Sequence, residues 1–247
     1  MRPKWGMSPK HPLGSHVDIH VWHADLDSAA ATLDPLLATL SPDERDRADR
    51  FVFERDQRRF IAARGLLRRL LGMRLGAEPD SLQFEYGERG KPFLAARMGQ
   101  SDVSFNVAHS QGHAVFGLTS GASLGVDVEV VRQLHDAPAM AERFFSLKER
   151  DQLRALPPSQ REVAFFLCWT RKEAYIKALG AGLAYPLEHF SVSVVAGEPQ
   201  LLEDHTAAAQ TAWSLHDLSH LPEYAAALAV RADPDRVTIH RAELDLD

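Results

Sequence analysis

The sequence predicts an α+β fold built from two similar subdomains related by a pseudo-twofold axis. Each half of the 247 residues reads as one strand, then helices, then several short strands. The pattern Ser-x-x-Glu-Arg-Asp occurs at Ser41–Asp46 and again at Ser146–Asp151, about half a chain apart. A small polar join, Ser120-Gly-Ala-Ser123, separates the halves. The expected division is an N-terminal arm over 1–16, a first subdomain over 17–120 and a second over 121–247. A ligand site between them is the natural place for a pocket.

The elements follow in order. Val17-Asp-Ile-His-Val-Trp22 alternates apolar and polar residues and predicts a strand. Ser41-Pro-Asp-Glu44 carries Ser at a cap, Pro in the first turn and Glu three residues on, the pattern of a helix start. A long helix is predicted from Glu54 to Leu75, with Phe60, Ala63, Leu67, Leu70 and Leu71 on one face and Gly76 as its stop. Short strands are predicted at Leu82–Tyr86, Val103–Val107 and Ala114–Leu118. The second half opens with a strand at Leu124–Val131. Ser146-Leu-Lys-Glu149 is a second capping box, and a long helix runs from Pro157-Pro158 to Gly180-Ala-Gly182. Strands are predicted at His189–Val195, Trp213–Leu218, Tyr224–Val230 and Val237–His240.

Composition limits the function classes. The single cysteine, Cys168, excludes an internal disulfide and a cysteine-built metal site. No apolar run reaches membrane-spanning length, and the N-terminus lacks the apolar core of a signal peptide, so a cytoplasmic protein is expected. A net charge of −6 argues against a general nucleic-acid binder. Ten arginines nevertheless lie between Arg45 and Arg74 against four acids. They form either a solvated helix face or a basic surface for a polyanion.

Two stretches carry chemistry. In Leu124-Gly-Val-Asp-Val-Glu-Val130, the apolar residues share one strand face while Gly125, Asp127 and Glu129 share the other. This is a solvent-facing edge or a pair of oxygen ligands for Mg²⁺, which takes one or two carboxylates plus substrate phosphate and water. In Trp169-Thr-Arg-Lys-Glu-Ala-Tyr-Ile-Lys177, Trp169, Glu173 and Lys177 share a helix face with Lys172 beside them. Glu173 and Lys177 form an ordinary helical pair, or Glu173 is a third ligand or base and the lysines meet pyrophosphate oxygens. His109 and Ser110 end a strand next in sequence to the acidic strand. No Gly-rich loop ending in Lys-Ser or Lys-Thr is present, which argues against a P-loop nucleotide hydrolase.

Taken together these stretches resemble the surfactin-type 4′-phosphopantetheinyl transferase family. The matching signatures run in the family's order: Gly90-Lys-Pro92, Phe105-Asn-Val-Ala-His-Ser110, Gly125–Glu129, Arg143-Phe-Phe-Ser146, Trp169–Lys177 and Gly180-Ala-Gly-Leu183. The resemblance spans roughly residues 17 to 195. It implies the two-subdomain fold and transfer of the phosphopantetheine arm of coenzyme A to a serine of an apo acyl or peptidyl carrier protein, with release of adenosine 3′,5′-bisphosphate. It further implies Mg²⁺ held by Asp127, Glu129 and Glu173, and Lys177 neutralising the pyrophosphate with Lys172 nearby. Arg47, Arg59 and His109 match positions on the 3′-phosphate side, and Lys91 with Pro92 match positions near the adenine. Asp127, Glu173 and Lys177 are thus the expected catalytic set, with Glu173 as ligand and base. Glu149 matches an acidic family position, though its capping box accounts for it. The expected partners are coenzyme A and an acidic carrier, with no nucleic acid and no membrane, and the protein is expected to be a monomer. One departure stands out: Ala108 replaces the family's usual Ser and removes a hydroxyl that could bond phosphate. The competing reading is a catalytically silent protein of the same fold that binds coenzyme A or a carrier.

Overall fold

The computed structural model describes residues 16–28, 33–87, 90–98, 102–182, 185–197, 199–205 and 212–244. The expected N-terminal arm, apart from His16, lies outside them.

Two short helices, α1 (Leu33–Ala38) and α2 (Pro42–Ala48), follow the first strand β1 (Val17–Asp25). The Ser41–Glu44 capping box starts α2, and the 22-residue α3 (Glu54–Leu75) ends at Gly76 with φ 65°. A hairpin of β2 (Phe84–Tyr86) and β3 (Pro92–Leu94) leads into β4 (Val103–Ser110), β5 (His113–Ser120) and β6 (Leu124–Val130). Then come α4 (Ala137–Phe144), α5 (Leu147–Ala155) with the Ser146–Glu149 capping box, and the 22-residue α6 (Pro158–Leu179), which ends at Gly180 with φ 70°. β7 (Phe190–Val192), β8 (Leu201–Asp204), β9 (Ser214–Asp217), β10 (Tyr224–Val230) and β11 (Val237–Glu243) complete the chain.

Two sheets stack between the two long helices. The first has strand order β11-β1-β5-β4 and the second β6-β10-β9. Alternation along the strands divides their side chains. Trp22 and Ala24 of β1 and Phe116 and Leu118 of β5 pack with Leu66, Leu67, Leu70 and Leu71 of α3. Ile19 and Val21 of β1 and Val115 of β5 turn the other way, onto Val126 and Val128 of β6 and Leu228 and Val230 of β10. Ala225, Ala227 and Ala229 of β10 face the third cluster, with Phe165, Phe166 and Ile176 of α6.

The internal repeat extends to a buried ion pair in each half. Glu44 of α2 accepts from Arg68 of α3 at 2.6 Å, and Glu149 of α5 accepts from Lys172 of α6 at 2.7 Å on both oxygens. One strand breaks the division at residue 120. β11, last in the chain, pairs in parallel with β1, so the second half's final strand adds an edge strand to the first half's sheet.

Candidate active site

The centre of the site is the contact of β6 with α6. Gly125 makes it possible. A Cβ at this position would lie 2.3 Å from the Ala174 carbonyl oxygen and 2.4 Å from the Ala178 nitrogen, so only glycine lets the strand lie against the helix backbone. Two residues further along β6, Asp127 meets the helix stripe that carries Glu173 and Lys177. Lys177 Nζ donates to Asp127 Oδ1 at 2.6 Å. Glu129, at the end of the strand, accepts from Ser110 Oγ at 2.8 Å, and Ser110 Oγ also receives the Val130 amide at 3.2 Å. Asn106 of β4 accepts from the Val126 amide at 2.8 Å and fixes β6 to the neighbouring sheet.

Burial sets the electrostatics. Loss of water pushes Asp127 up to about 7 against the pull of Lys177, with Glu173 and Glu129 adding to the rise. Glu173 is raised chiefly by burial too. Burial works against the Lys177 ammonium, but Asp127, Glu173 and Glu129 outweigh it and hold its pKa above the ordinary value. Asp127 Oδ2 and Glu173 Oε1 are buried with no hydrogen-bond partner among the described residues. Such orphaned carboxylate oxygens carry a desolvation penalty that a bound cation would relieve. Among the described residues no three His, Cys, Asp or Glu side chains converge into a ready-made cage. One oxygen of Asp127 is taken by Lys177 and one of Glu129 by Ser110. The donor set is all hard oxygen, and two of its buried atoms have no partner among the described residues. That fits Mg²⁺, which fills its remaining positions with water and substrate phosphate.

The other expected residues divide. His109 lies on the face of β4 opposite Ala108, near enough to the site for its imidazole to be held below the ordinary value, by loss of water first and by Lys177 second. Arg59 makes a two-pronged contact with Asp27, at 2.7 and 2.6 Å. Arg47 is exposed and lies over the Phe60 ring. Pro92 lines a cavity of about 490 Å³ with Phe93, Phe105, Leu124, Ala178 and Gly180. Lys91 turns its ammonium onto the backbone carbonyls of Lys177 (2.6 Å) and Leu124 (3.1 Å), and burial, then Lys177, lowers it to about 8.

Lys172 is not beside Lys177. One position off the Glu173 stripe is a turn of about 100° around the helix axis, and Lys172 is fully buried between Glu149 and the Phe190 carbonyl. Glu149 is equally buried and also accepts the Val192 and Ser146 amides. Ala108 is buried in the apolar layer between the sheets, on the strand face opposite His109, so the absent hydroxyl concerns that layer. Part of the arginine surplus turns inward: Arg68 and Arg64 pair with Glu44, and Arg74 bonds Ser120, while Arg45, Arg47, Arg50 and Arg55 stay exposed.

Comparison with known proteins settles the family. A family model described as the 4′-phosphopantetheinyl transferase superfamily matches residues 123–229, and one described as 4′-phosphopantetheinyl transferase, N-terminal, matches 26–120. The chain is 42% identical to the 4′-phosphopantetheinyl transferase HetI of Nostoc sp. over 86% of this chain and 87% of that protein. The chain belongs to the 4′-phosphopantetheinyl transferase superfamily. The 4′-phosphopantetheinyl transferase psf-1 of Bacillus pumilus is 32% identical over 74% of this chain and 77% of its own. A holo-(acyl-carrier-protein) synthase from Bacillus anthracis, solved in complex with CoA (3′,5′-ADP), aligns over 45% of this chain and 96% of its own, at 24% identity and TM-score 0.38.

Within this phosphopantetheinyl transferase chain, sequence reasoning passed over three supports of the site. Asn106 stands in the Phe105–Ser110 motif, but its bond to Val126 joins residues of different strands. The Asp27–Arg59 pair spans 32 positions and leaves no local pattern. The Lys91 bonds to Leu124 and Lys177 cross from one half to the other.

Proposed function

We propose that the contact of β6 with α6 transfers the phosphopantetheine arm of coenzyme A to a serine hydroxyl of an apo carrier protein, with Mg²⁺ as the metal. The observation that carries the reading is the meeting of buried Asp127 and Glu173 with half-buried Lys177, with two carboxylate oxygens unpartnered among the described residues. Asp127, Glu129 and Glu173 would hold the metal. Bound there, Mg²⁺ supplies Lewis acidity toward the pyrophosphate.

This chain's residues do the rest. Lys177 meets the anionic pyrophosphate and offsets charge that develops on the leaving oxygen. Glu173, whose raised pKa suits a proton acceptor, takes the proton of the attacking serine. The serine oxygen bonds to phosphorus as the bond from phosphorus to the adenosine 3′,5′-bisphosphate oxygen breaks. Arg47, Arg59 and His109 receive the 3′-phosphate, Arg59 exchanging Asp27 for it. The adenine packs beside Pro92.

The carrier approaches with an acidic face. Arg50 and Arg55 are exposed beside Phe51, Val52 and Phe53, the last two among the most exposed large apolar residues of those described. No described helix is long and apolar enough to cross a membrane. We place the protein in the cytoplasm as a monomer. The silent-binder reading rested on Ala108, whose burial between the sheets removes that support.

Intact-mass measurement tests the reading. The protein is mixed with coenzyme A, Mg²⁺ and a panel of apo carriers, with and without chelator. A metal-dependent gain of one phosphopantetheine on a carrier is expected. Coenzyme A binding with no gain on any carrier would return the silent binder.

A further inference from the structure

Lys91 belongs to the hairpin turn of the first half, yet its ammonium reaches the second. Its backbone is fixed locally, with Gly87 N donating to Lys91 O at 3.0 Å across the turn. From there Nζ donates to Lys177 O at 2.6 Å and to Leu124 O at 3.1 Å. Leu124 opens β6 and Lys177 stands in the last turn of α6. One cation therefore ties the end of the helix to the beginning of the strand.

Two physical reasons make that tie matter. The Lys177 carbonyl already accepts the Gly180 amide at 3.2 Å, so the ammonium is its second donor, favoured because the last turn is the negative end of the helix dipole. The tie also brackets the Gly125 contact, where strand and helix backbone touch with no side chain between them. Lys177 contributes both the carbonyl that Lys91 holds and the ammonium that meets Asp127. A slip of the helix along the strand would move that ammonium by a comparable distance, and misplacement of about 1 Å costs up to about 10²-fold in rate.

We propose that Lys91 is a positioning residue, a clamp between the halves that fixes α6 on β6 and so sets Lys177 against Asp127. The proposal rests on the reading that transfer occurs at that pair. Wild-type transfer, measured alongside, separates failure of that reading from failure of this one.

The test compares Lys91→Met, which keeps the stem and removes the donors, with Lys91→Arg, which keeps donors. Three quantities are read on the full chain: amide exchange of residues 174–182 by mass spectrometry, the coenzyme A dissociation constant by calorimetry, and kcat with KM. Lys91→Met is expected to exchange faster over 174–182 and to lose about tenfold or more in kcat. Lys91→Arg should recover part of kcat and part of the exchange protection. Unchanged exchange overturns the proposal, as does faster exchange with kcat intact. Weakened coenzyme A binding with exchange and kcat unchanged would make Lys91 a ligand contact instead. Should Lys91→Met not fold, Lys91→Gln carries the same measurements with one donor group left.

Discussion

At the scale of single residues, the acidic cluster is held in a state that the free protein tolerates poorly. Burial raises Glu173 above the ordinary carboxylate value, and its Oε1 has no partner among the described residues. A carboxyl whose folded pKa lies above its unfolded value binds protons more tightly when folded, so its contribution to stability falls as pH rises through that interval. Glu173→Gln removes the effect. In chelator, the variant is expected to melt above wild type at pH 7.5, with the gap closing as pH falls toward the unfolded pKa. Each kcal/mol relieved reads as roughly 2–4 °C for a chain of this length. A gap that is absent at pH 7.5, or that widens in acid, would show that burial does not strain this carboxylate. The acid strand was legible in the sequence because alternation alone puts Asp127 and Glu129 on one face. The pairing of Asp127 with Lys177 was legible only through the family resemblance, since 50 residues separate them.

At the scale of elements, β6 and α6 form the working unit and two buried features hold it. Gly125→Ala would drive a methyl into the α6 backbone, where nothing flexible can give way. Overpacking of this kind typically costs ~1–3 kcal/mol, and the variant should lose both urea resistance and transfer. An alanine variant with wild-type midpoint and turnover would contradict the close contact. The second feature is the Glu149–Lys172 pair. Lys172→Met leaves a buried carboxylate unpaired and should cost about 3–5 kcal/mol. The double variant Lys172→Met with Glu149→Gln should recover most of that loss. If Lys172→Met instead keeps its stability and weakens coenzyme A binding, Lys172 belongs to the ligand site after all. The sequence announced α2, α3, α5 and α6 through capping boxes and terminal glycines. It did not announce α1, α4, β3 or β8, which are three to eight residues long. Elements that short draw their stability from packing rather than from their own pattern.

At the scale of the whole molecule, two sheets stacked between two 22-residue helices place the cleft residues where both halves meet. The repeat of Ser-x-x-Glu predicted this doubling, and the structure adds the matching Glu44–Arg68 and Glu149–Lys172 pairs. The return of β11 to β1 was not legible, because parallel pairing across more than 200 residues leaves no mark in either segment. Which arginines of the run turn inward was not legible either, because Glu44, which pairs with Arg64 and Arg68, lies outside it. The arginines that stay exposed predict a salt effect. Raising ionic strength should increase KM for the carrier more than it lowers kcat, and a salt-independent KM would move docking to another surface. The central claim is that Asp127, Glu173 and Lys177 perform the transfer. It is tested most directly by intact-mass progress curves for wild type, Glu173→Gln and Lys177→Met on a carrier the wild type modifies, with folding and coenzyme A binding checked on each. The account predicts that both variants fold and that each loses on the order of 10²-fold or more in transfer rate. Wild-type progress curves from either folded variant would contradict it.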